Sequence, residues 1–208
     1  MVRPDDVAAL VLAAGMSSRM GKFKPLLPIG EHTLIEQVIK NIRAASIQRI
    51  LVVVGYKAET LIPVLERNQV SWVENPNSTQ EMFLSVKVGI RRLEKSIPAF
   101  FLLPCDMPFV SPQTYGKLLS AFDPVQMDII RPRYLNRNGH PVLISVSKIP
   151  SMVMYSGDGG LRSLVKQQGW RIVDHDCNDP GIAIDLNFPE DYENAASRIA
   201  HRHHDRSG

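Results

Sequence analysis

Cysteine is scarce in this sequence: Cys105 and Cys177 are the two among 208 residues, and they are far apart. They lack metal-ligand spacing, which argues against a disulfide framework and makes a reducing compartment the default. Charge of one sign is missing too. Lys and Arg number 24 against 21 Asp and Glu, a formal charge of +3. So even a balance does not call for a nucleic-acid partner, and local clusters must carry any anion binding. Long hydrophobic runs are absent: Val7 to Ala14 falls far short of the ~20 residues that span a bilayer. The opening Met1-Val2-Arg3-Pro4-Asp5-Asp6 holds an acidic pair that spoils a signal-peptide n-region. The expectation is a cytoplasmic protein with neither a membrane nor a nucleic-acid partner.

Two common nucleotide signatures are also lacking. A Walker A loop has four residues between its glycines, then Lys-Ser or Lys-Thr. Here five residues separate Gly15 from Gly21, and Lys22-Phe23 follows. A dinucleotide fingerprint requires Gly-x-Gly-x-x-Gly, and no second glycine stands at that offset. This counts against an oxidoreductase that uses a dinucleotide.

What is present is a 44% apolar composition, enough for a sizeable core. Short β-branched runs alternate with segments of helical period. That pattern predicts an α/β protein with a mainly parallel central sheet and helices on both faces. Strands are expected at Val7–Leu12, Arg49–Val54, Val70–Val73 and Ala99–Leu103, and later at Ile129–Tyr134 and Pro141–Ser145. Thr33 to Ala45 reads as a helix opened by a capping box of Thr33 and Glu36. Ala58 to Arg67 is a second, although Pro63 interrupts its hydrogen bonding. Glu81 to Lys95 is a third, and Ser111-Pro112 starts a fourth. Asn138-Gly139 signals a hairpin turn, and Gly157 to Gln168 is a loop leading into a helix. Arg171–Val173 and Ile182–Ile184 are short strand candidates, and a last helix begins near Pro189. One domain over residues 1–200 is expected, with a polar, disordered tail at 201–208.

Chemistry concentrates in three segments. The first strand runs into Ala13-Ala14-Gly15-Met16-Ser17-Ser18-Arg19-Met20-Gly21-Lys22-Phe23-Lys24. Small residues there let backbone N–H groups approach phosphate oxygens. Arg19, Lys22 and Lys24 add the positive charge that a triphosphate and its departing pyrophosphate require. Next, Leu102-Leu103-Pro104-Cys105-Asp106 ends an apolar strand in a carboxylate, at the sheet edge where open α/β folds bind ligands. Magnesium favours such oxygens, so Asp106 is the first candidate ligand. Cys105 reads as packed rather than nucleophilic, because no base stands beside it. The third segment, Ile184-Asp185-Leu186-Asn187-Phe188-Pro189, offers Asp185 as a second metal ligand, and Asn187 as a neutral ligand or its orienting partner. Arg137 to Pro141, with His140, and Gly157 to Arg162, with Asp158, supply cations and glycines suited to a second anionic substrate.

Together these residues resemble the nucleotidyltransferases of molybdenum-cofactor maturation, most closely their cytidylyltransferase branch. The resemblance covers nearly the whole chain. It rests on Leu12-Ala13-Ala14-Gly15-x-Ser17-x-Arg19-Met20-Gly21-x-x-Lys24, Pro104-Cys105-Asp106-Met107-Pro108, Gly139-His140-Pro141-Val142, Gly157-Asp158-x-Gly160-x-Arg162 and Asp185-Leu186-Asn187-Phe188-Pro189-Glu190-Asp191. It implies a Rossmann-like domain that transfers CMP from CTP to the terminal phosphate of molybdopterin carrying molybdenum, with Mg2+ as cofactor. Leu12, Ala13, Ala14, Gly15, Ser17, Arg19, Lys24 and Ser85 would bind the nucleotide; Arg137, His140, Asp158 and Arg162 would bind the pterin substrate. Arg19, Lys24 and Asp106 would be catalytic, with Asp106, Asp185 and Asn187 holding the metal. A client molybdenum hydroxylase or its chaperone is an implied partner. The sequence departs from the family pattern at Glu81, where a glycine is usual, and at Asn187, where an aspartate is usual. Guanylyl or other nucleotidyl transfer to a phosphorylated metabolite, and non-catalytic cofactor binding or delivery, are the alternatives left open.

Overall fold

The structure, a computed structural model, describes residues 2–16, 20–78, 81–94 and 96–194. Ser17, Arg19, the Lys95 end of the expected third helix and the tail lie outside these residues. The strands are β1 (Ala8–Leu12), β2 (Pro28–Ile29), β3 (His32–Thr33), β4 (Arg49–Val54), β5 (Ser71–Glu74), β6 (Ala99–Pro104), β7 (Ile129–Tyr134), β8 (Arg137–Asn138), β9 (Val142–Ser145) and β10 (Ile172–Asp176). The helices are α1 (Leu34–Ala44), α2 (Ala58–Arg67), α3 (Met82–Ile90), α4 (Pro112–Ala121), α5 (Ile149–Met154) and α6 (Gly160–Gln167). The main sheet has the order β10-β7-β9-β6-β1-β4-β5, with β8 paired to β7. β1, β4, β5 and β6 run parallel, and β9 enters antiparallel between β6 and β7. The predicted mixed α/β class is the one observed.

Strand alternation explains the layering. Ala9, Val11 and Ala13 face the helices α1, α2 and α4, packing with Ile35, Val38, Ile39, Leu61 and Leu118. Ala8, Leu10, Leu12 and Ala14 face the opposite way, with Phe83, Val86, Met152 and Leu164 of α3, α5 and α6. Successive side chains on a strand point to opposite faces, so β1, buried along its whole length, is the centre of both layers. Each fully buried Leu or Ile here contributes about 1.5–3 kcal/mol.

Local signals mostly act as read. Thr33 caps α1 in a capping box with Glu36. α2 continues through Pro63. Pro63 and Glu59 are both exposed, so the carbonyl left without its helical donor faces water, while Leu61 and Leu65 still bury their side chains. Three expectations need correction. The hairpin turns at Leu135 and Asn136, which take positive φ of 45° and 62°, the conformation of a two-residue primed turn. Asn138 belongs to the exit strand β8 instead, and the Gly139 N–H just after it donates to the Pro132 carbonyl at 3.0 Å. Ile182–Ile184 is no strand: Pro180–Ala183 forms a 3-10 turn opened by Asp179, whose side chain accepts from the Gly181 N–H. The third helix ends at Ile90, with Arg91 as its C-cap. The β2–β3 hairpin and α5 were not expected. Among the described residues, no helix is long and apolar enough to cross a membrane.

Candidate active site

The carboxyl ends of β1, β4 and β6 form the floor. Beyond its last paired residue, β1 stays tied to its neighbours: the Ala13 N–H donates to the Val53 carbonyl at 2.9 Å, and the Ala14 carbonyl accepts from Tyr56 N–H at 3.1 Å. The Leu12 carbonyl accepts from Cys105 N–H at 3.0 Å, which sets Asp106 beside the loop that follows β1. Ala13 and Ala14 are buried, and the exposed stretch begins at Gly15. Among the described residues, a Cβ on Gly15 would meet nothing within 4 Å, and its φ is not positive. The fold itself therefore places no demand for glycine at this point, and the open backbone suits close approach by a phosphate.

Lys24 is the central cation. It opens a short 3-10 turn, Lys24–Leu26, and its residue is only 7% exposed. Its Nζ donates to Asp106 Oδ2 at 2.8 Å and to Asn187 Oδ1 at 3.0 Å. Asn187 Nδ2 in turn donates to Asp185 Oδ2. Segment 185–187 is held in place by Leu186, whose N–H donates to the Asp106 carbonyl at 3.1 Å. The Leu186 side chain is fully buried with Met20, Leu27, Ile29 and Leu34. The other Asp106 oxygen, Oδ1, is buried and has no hydrogen-bond partner among the described residues.

The hairpin exit docks on the same centre. His140 N–H donates to the Ile182 carbonyl at 3.2 Å, and a Cβ on Gly139 would strike that carbonyl. His140 Nδ1 lies 3.3 Å from the Leu102 carbonyl. Burial pushes its imidazole pKa down, although the Leu102 carbonyl and the Asp106 and Asp185 carboxylates oppose the shift. A neutral ring with a proton on Nδ1 fits that carbonyl. Burial, reinforced by the Asp106 charge, pushes the Cys105 thiol far up, in keeping with a packed rather than a nucleophilic role.

The remaining candidates sit elsewhere. Ser85 is buried and accepts from Asn75 Nδ2 at 2.9 Å. Asn75 also donates its N–H to the Val54 carbonyl at 2.8 Å, so this pair braces α3 against β4. Glu81 occupies the N-cap of α3 with φ −59° and ψ 139°, a conformation that asks for no glycine. Asp158 and Arg162 are exposed around the start of α6, where Gly160 packs on Phe83 of α3. Arg137 is exposed on β8. Among the described residues, no hydrogen bond or ion pair links Arg137, Asp158 or Arg162 to Asp106. The Leu186 anchor and the Asn75 brace are absent from the sequence reading; the apolar residue between two polar ones at 185–187 is the signal for the first.

A metal fits the donors. Among the described residues, no group of three or more His, Cys, Asp and Glu is placed to hold an ion. Magnesium commonly uses one or two carboxylates and takes its other oxygens from water and substrate phosphates. The unpartnered Asp106 Oδ1 with Asp185 nearby meets that requirement, and Asn187 Oδ1 is already occupied by Lys24.

A buried lysine and two neighbouring carboxylates lie at the carboxyl edge of a doubly covered, mostly parallel sheet, where open α/β proteins bind ligands. Residues 9–172 match the MobA-like NTP transferase domain, and the chain belongs to that family of nucleotidyltransferases. It is 26% identical to the molybdenum cofactor cytidylyltransferase of Escherichia coli strain K12, over 92% of this chain and 96% of that protein. It is 27% identical to nicotine blue oxidoreductase of Paenarthrobacter nicotinovorans, over 88% of this chain and 93% of that protein. A crystal structure of a Mycobacterium tuberculosis H37Rv protein in complex with manganese shares the fold. Its TM-score is 0.73 at 23% identity, covering 92% of this chain and 98% of the other.

Proposed function

We propose that the protein is a magnesium-dependent transferase that moves CMP from CTP to the terminal phosphate of molybdopterin cofactor in the cytoplasm. The products are the cytosine dinucleotide cofactor, destined for a client molybdenum hydroxylase or its chaperone, and pyrophosphate. The carrying observation is the buried Asp106 Oδ1, unpartnered among the described residues, beside the Lys24–Asn187–Asp185 chain. Likeness to the E. coli cytidylyltransferase and the Ala13-Ala14-Gly15 opening support CTP.

In the reaction, a phosphate oxygen of the acceptor attacks the α-phosphorus in line. The new P–O bond forms as the bond to the β-phosphate oxygen breaks, and pyrophosphate leaves with that electron pair. The nucleophile is already anionic, so the site needs no general base. Asp106 and Asp185 would hold magnesium, which when bound neutralises phosphate oxygens and aligns the substrates. Lys24 keeps the Asp106 carboxylate oriented, while Gly15 and Arg19 meet the triphosphate. His140, Arg137, Asp158 and Arg162 are assigned to the pterin substrate.

The test is incubation with each nucleoside triphosphate, magnesium and molybdenum cofactor, reading pyrophosphate and product mass. A cytidylyl product only with CTP is expected. A guanylyl product with GTP would replace the base assignment, and tight cofactor binding without pyrophosphate would indicate a delivery protein. The similarity to a protein named as an oxidoreductase favours a second reading, reductive chemistry with a nicotinamide dinucleotide. A nicotinamide-dependent absorbance change without pyrophosphate release would establish it.

A further inference from the structure

We propose that Asn187 is a positioning residue rather than a metal ligand, and that its neutrality keeps this centre dependent on substrate phosphate for cation binding. The inference deepens the metal-assisted reading given above.

The amide orientation is forced by its partners. A lysine ammonium has donors only, so the Asn187 oxygen must face Lys24, 3.0 Å away. The amide nitrogen then has one charged acceptor within reach, the Asp185 carboxylate. Asn187 therefore joins Lys24 to Asp185, with each end of the amide matched to the charge it touches. A carboxylate at 187 could still pair with Lys24, but it would offer Asp185 no donor and a second negative charge instead.

A cation on Asn187 Oδ1 would have to share that oxygen with an ammonium. Like charges held that close in a part-buried site repel strongly, and a divalent ion doubles the repulsion. Asp106 differs, because Lys24 takes Oδ2 and leaves a separate, buried Oδ1 carrying part of a full negative charge. Among the described residues, the ligands on offer are then Asp106 Oδ1 and Asp185. One ammonium and two carboxylates leave a single net negative charge, and two ligands are few for magnesium or manganese. Triphosphate oxygens supply both the missing charge and the missing ligands.

The experiment titrates Mn2+ alone into the nucleotide-free 208-residue chain, followed by loss of the free-ion EPR signal, with thermal midpoints as a control on folding. Asn187→Asp adds a charge beside the ion and is expected to tighten Mn2+ binding by about tenfold. Asn187→Ala removes no ligand, and Leu186 still fixes the backbone of Asp185, so affinity is expected to change by less than about threefold. A tenfold or greater loss in Asn187→Ala with its midpoint intact would make Asn187 a ligand and overturn the proposal. Unaltered affinity in Asn187→Asp would overturn the charge argument as well. No turnover enters the measurement. If pyrophosphate release failed with every nucleotide while these affinities held, the transferase reading would fall and this inference would stand; the reverse pattern would separate them the other way.

Discussion

The backbone N–H of Leu186 donates to the backbone carbonyl of Asp106 at 3.1 Å. One bond thus joins the end of β6 to the segment that carries Asp185 and Asn187. The Leu186 side chain, 0% exposed among Met20, Leu27, Ile29 and Leu34, keeps that bond in register. Leu186→Ala should lower stability by about 2–4 kcal/mol through the cavity it leaves. It should also weaken Mn2+ binding, because Asp185 loses its fixed distance from Asp106. Urea unfolding and the Mn2+ titration check the two effects separately, and a variant of wild-type stability would deny Leu186 its anchoring role.

Asp106→Asn keeps the shape and removes the charge. Lys24, whose side chain is 9% exposed against 16% for Asp106, would lose its ionic partner while the fold remains. Stability should drop by about 1–3 kcal/mol. Turnover with any accepted nucleotide should fall by about a hundredfold or more, the scale of losing a group that stabilises transition-state charge. Steady-state pyrophosphate release measures it, and activity within tenfold of wild type would remove Asp106 from the centre.

The site was legible where chemistry and sequence order coincide. Asp106 stands out because a carboxylate ends an apolar strand, and Asp185 because another follows a short apolar run. The partner of Lys24 was not legible: pairing it with Asp106 and Asn187 requires the crossing of β1, β6 and the 180–187 segment, which no local pattern encodes. Ser85 was read as a nucleotide contact, and only the structure puts it inside, against Asn75. The misplaced hairpin turn has a similar cause. Asn138-Gly139 has the residue types for a turn, yet pairing of β7 with β8 puts the positive φ angles on Leu135 and Asn136. Tertiary pairing overrode a local preference there. Alternation along β1, in contrast, depends only on strand geometry, and the two-layer core followed from it.

Two carboxylates away from the site, half-buried Glu36 and buried Asp128, should dominate the acid limb of stability. Burial alone would raise the Glu36 pKa, but the Thr33 N–H and hydroxyl, then Arg67 and Asn68, outweigh it and hold the pKa at about 2 instead of 4.5. Asp128 is likewise held at about 2 rather than 3.8, burial being overcome by Arg171 and Lys148. A folded pKa below the unfolded value stabilises the protein above the unfolded value, and the contribution disappears as pH falls through the folded one. The loss should therefore run from about pH 4.5 down to 2, amounting to roughly 2–3 kcal/mol per group. Glu36→Gln should be less stable than wild type at pH 7, with the two converging near pH 2. Denaturant midpoints across that range test this, and parallel curves would deny the linkage.

Gly89 sets how closely α3 can lie on the sheet. A Cβ there would come within 2.5 Å of Leu10 Cδ1, 2.8 Å of Leu10 Cδ2 and 2.9 Å of Val53 Cγ2. Two effects compete in Gly89→Ala. Alanine favours a helix interior by about 1 kcal/mol over glycine, whereas overpacking a tight core costs about 1–3 kcal/mol. Leu10 and Val53 are both 0% exposed, so neither side chain has free space to yield into. The steric cost should prevail, with a net loss of about 1–2 kcal/mol. The urea midpoint should fall with an unchanged m-value, since the surface exposed on unfolding is the same. An outward shift of α3 would also stretch the 2.9 Å bond from Asn75 to Ser85. A stabilised Gly89→Ala protein would show that helix propensity wins here and that α3 has slack against β1 and β4.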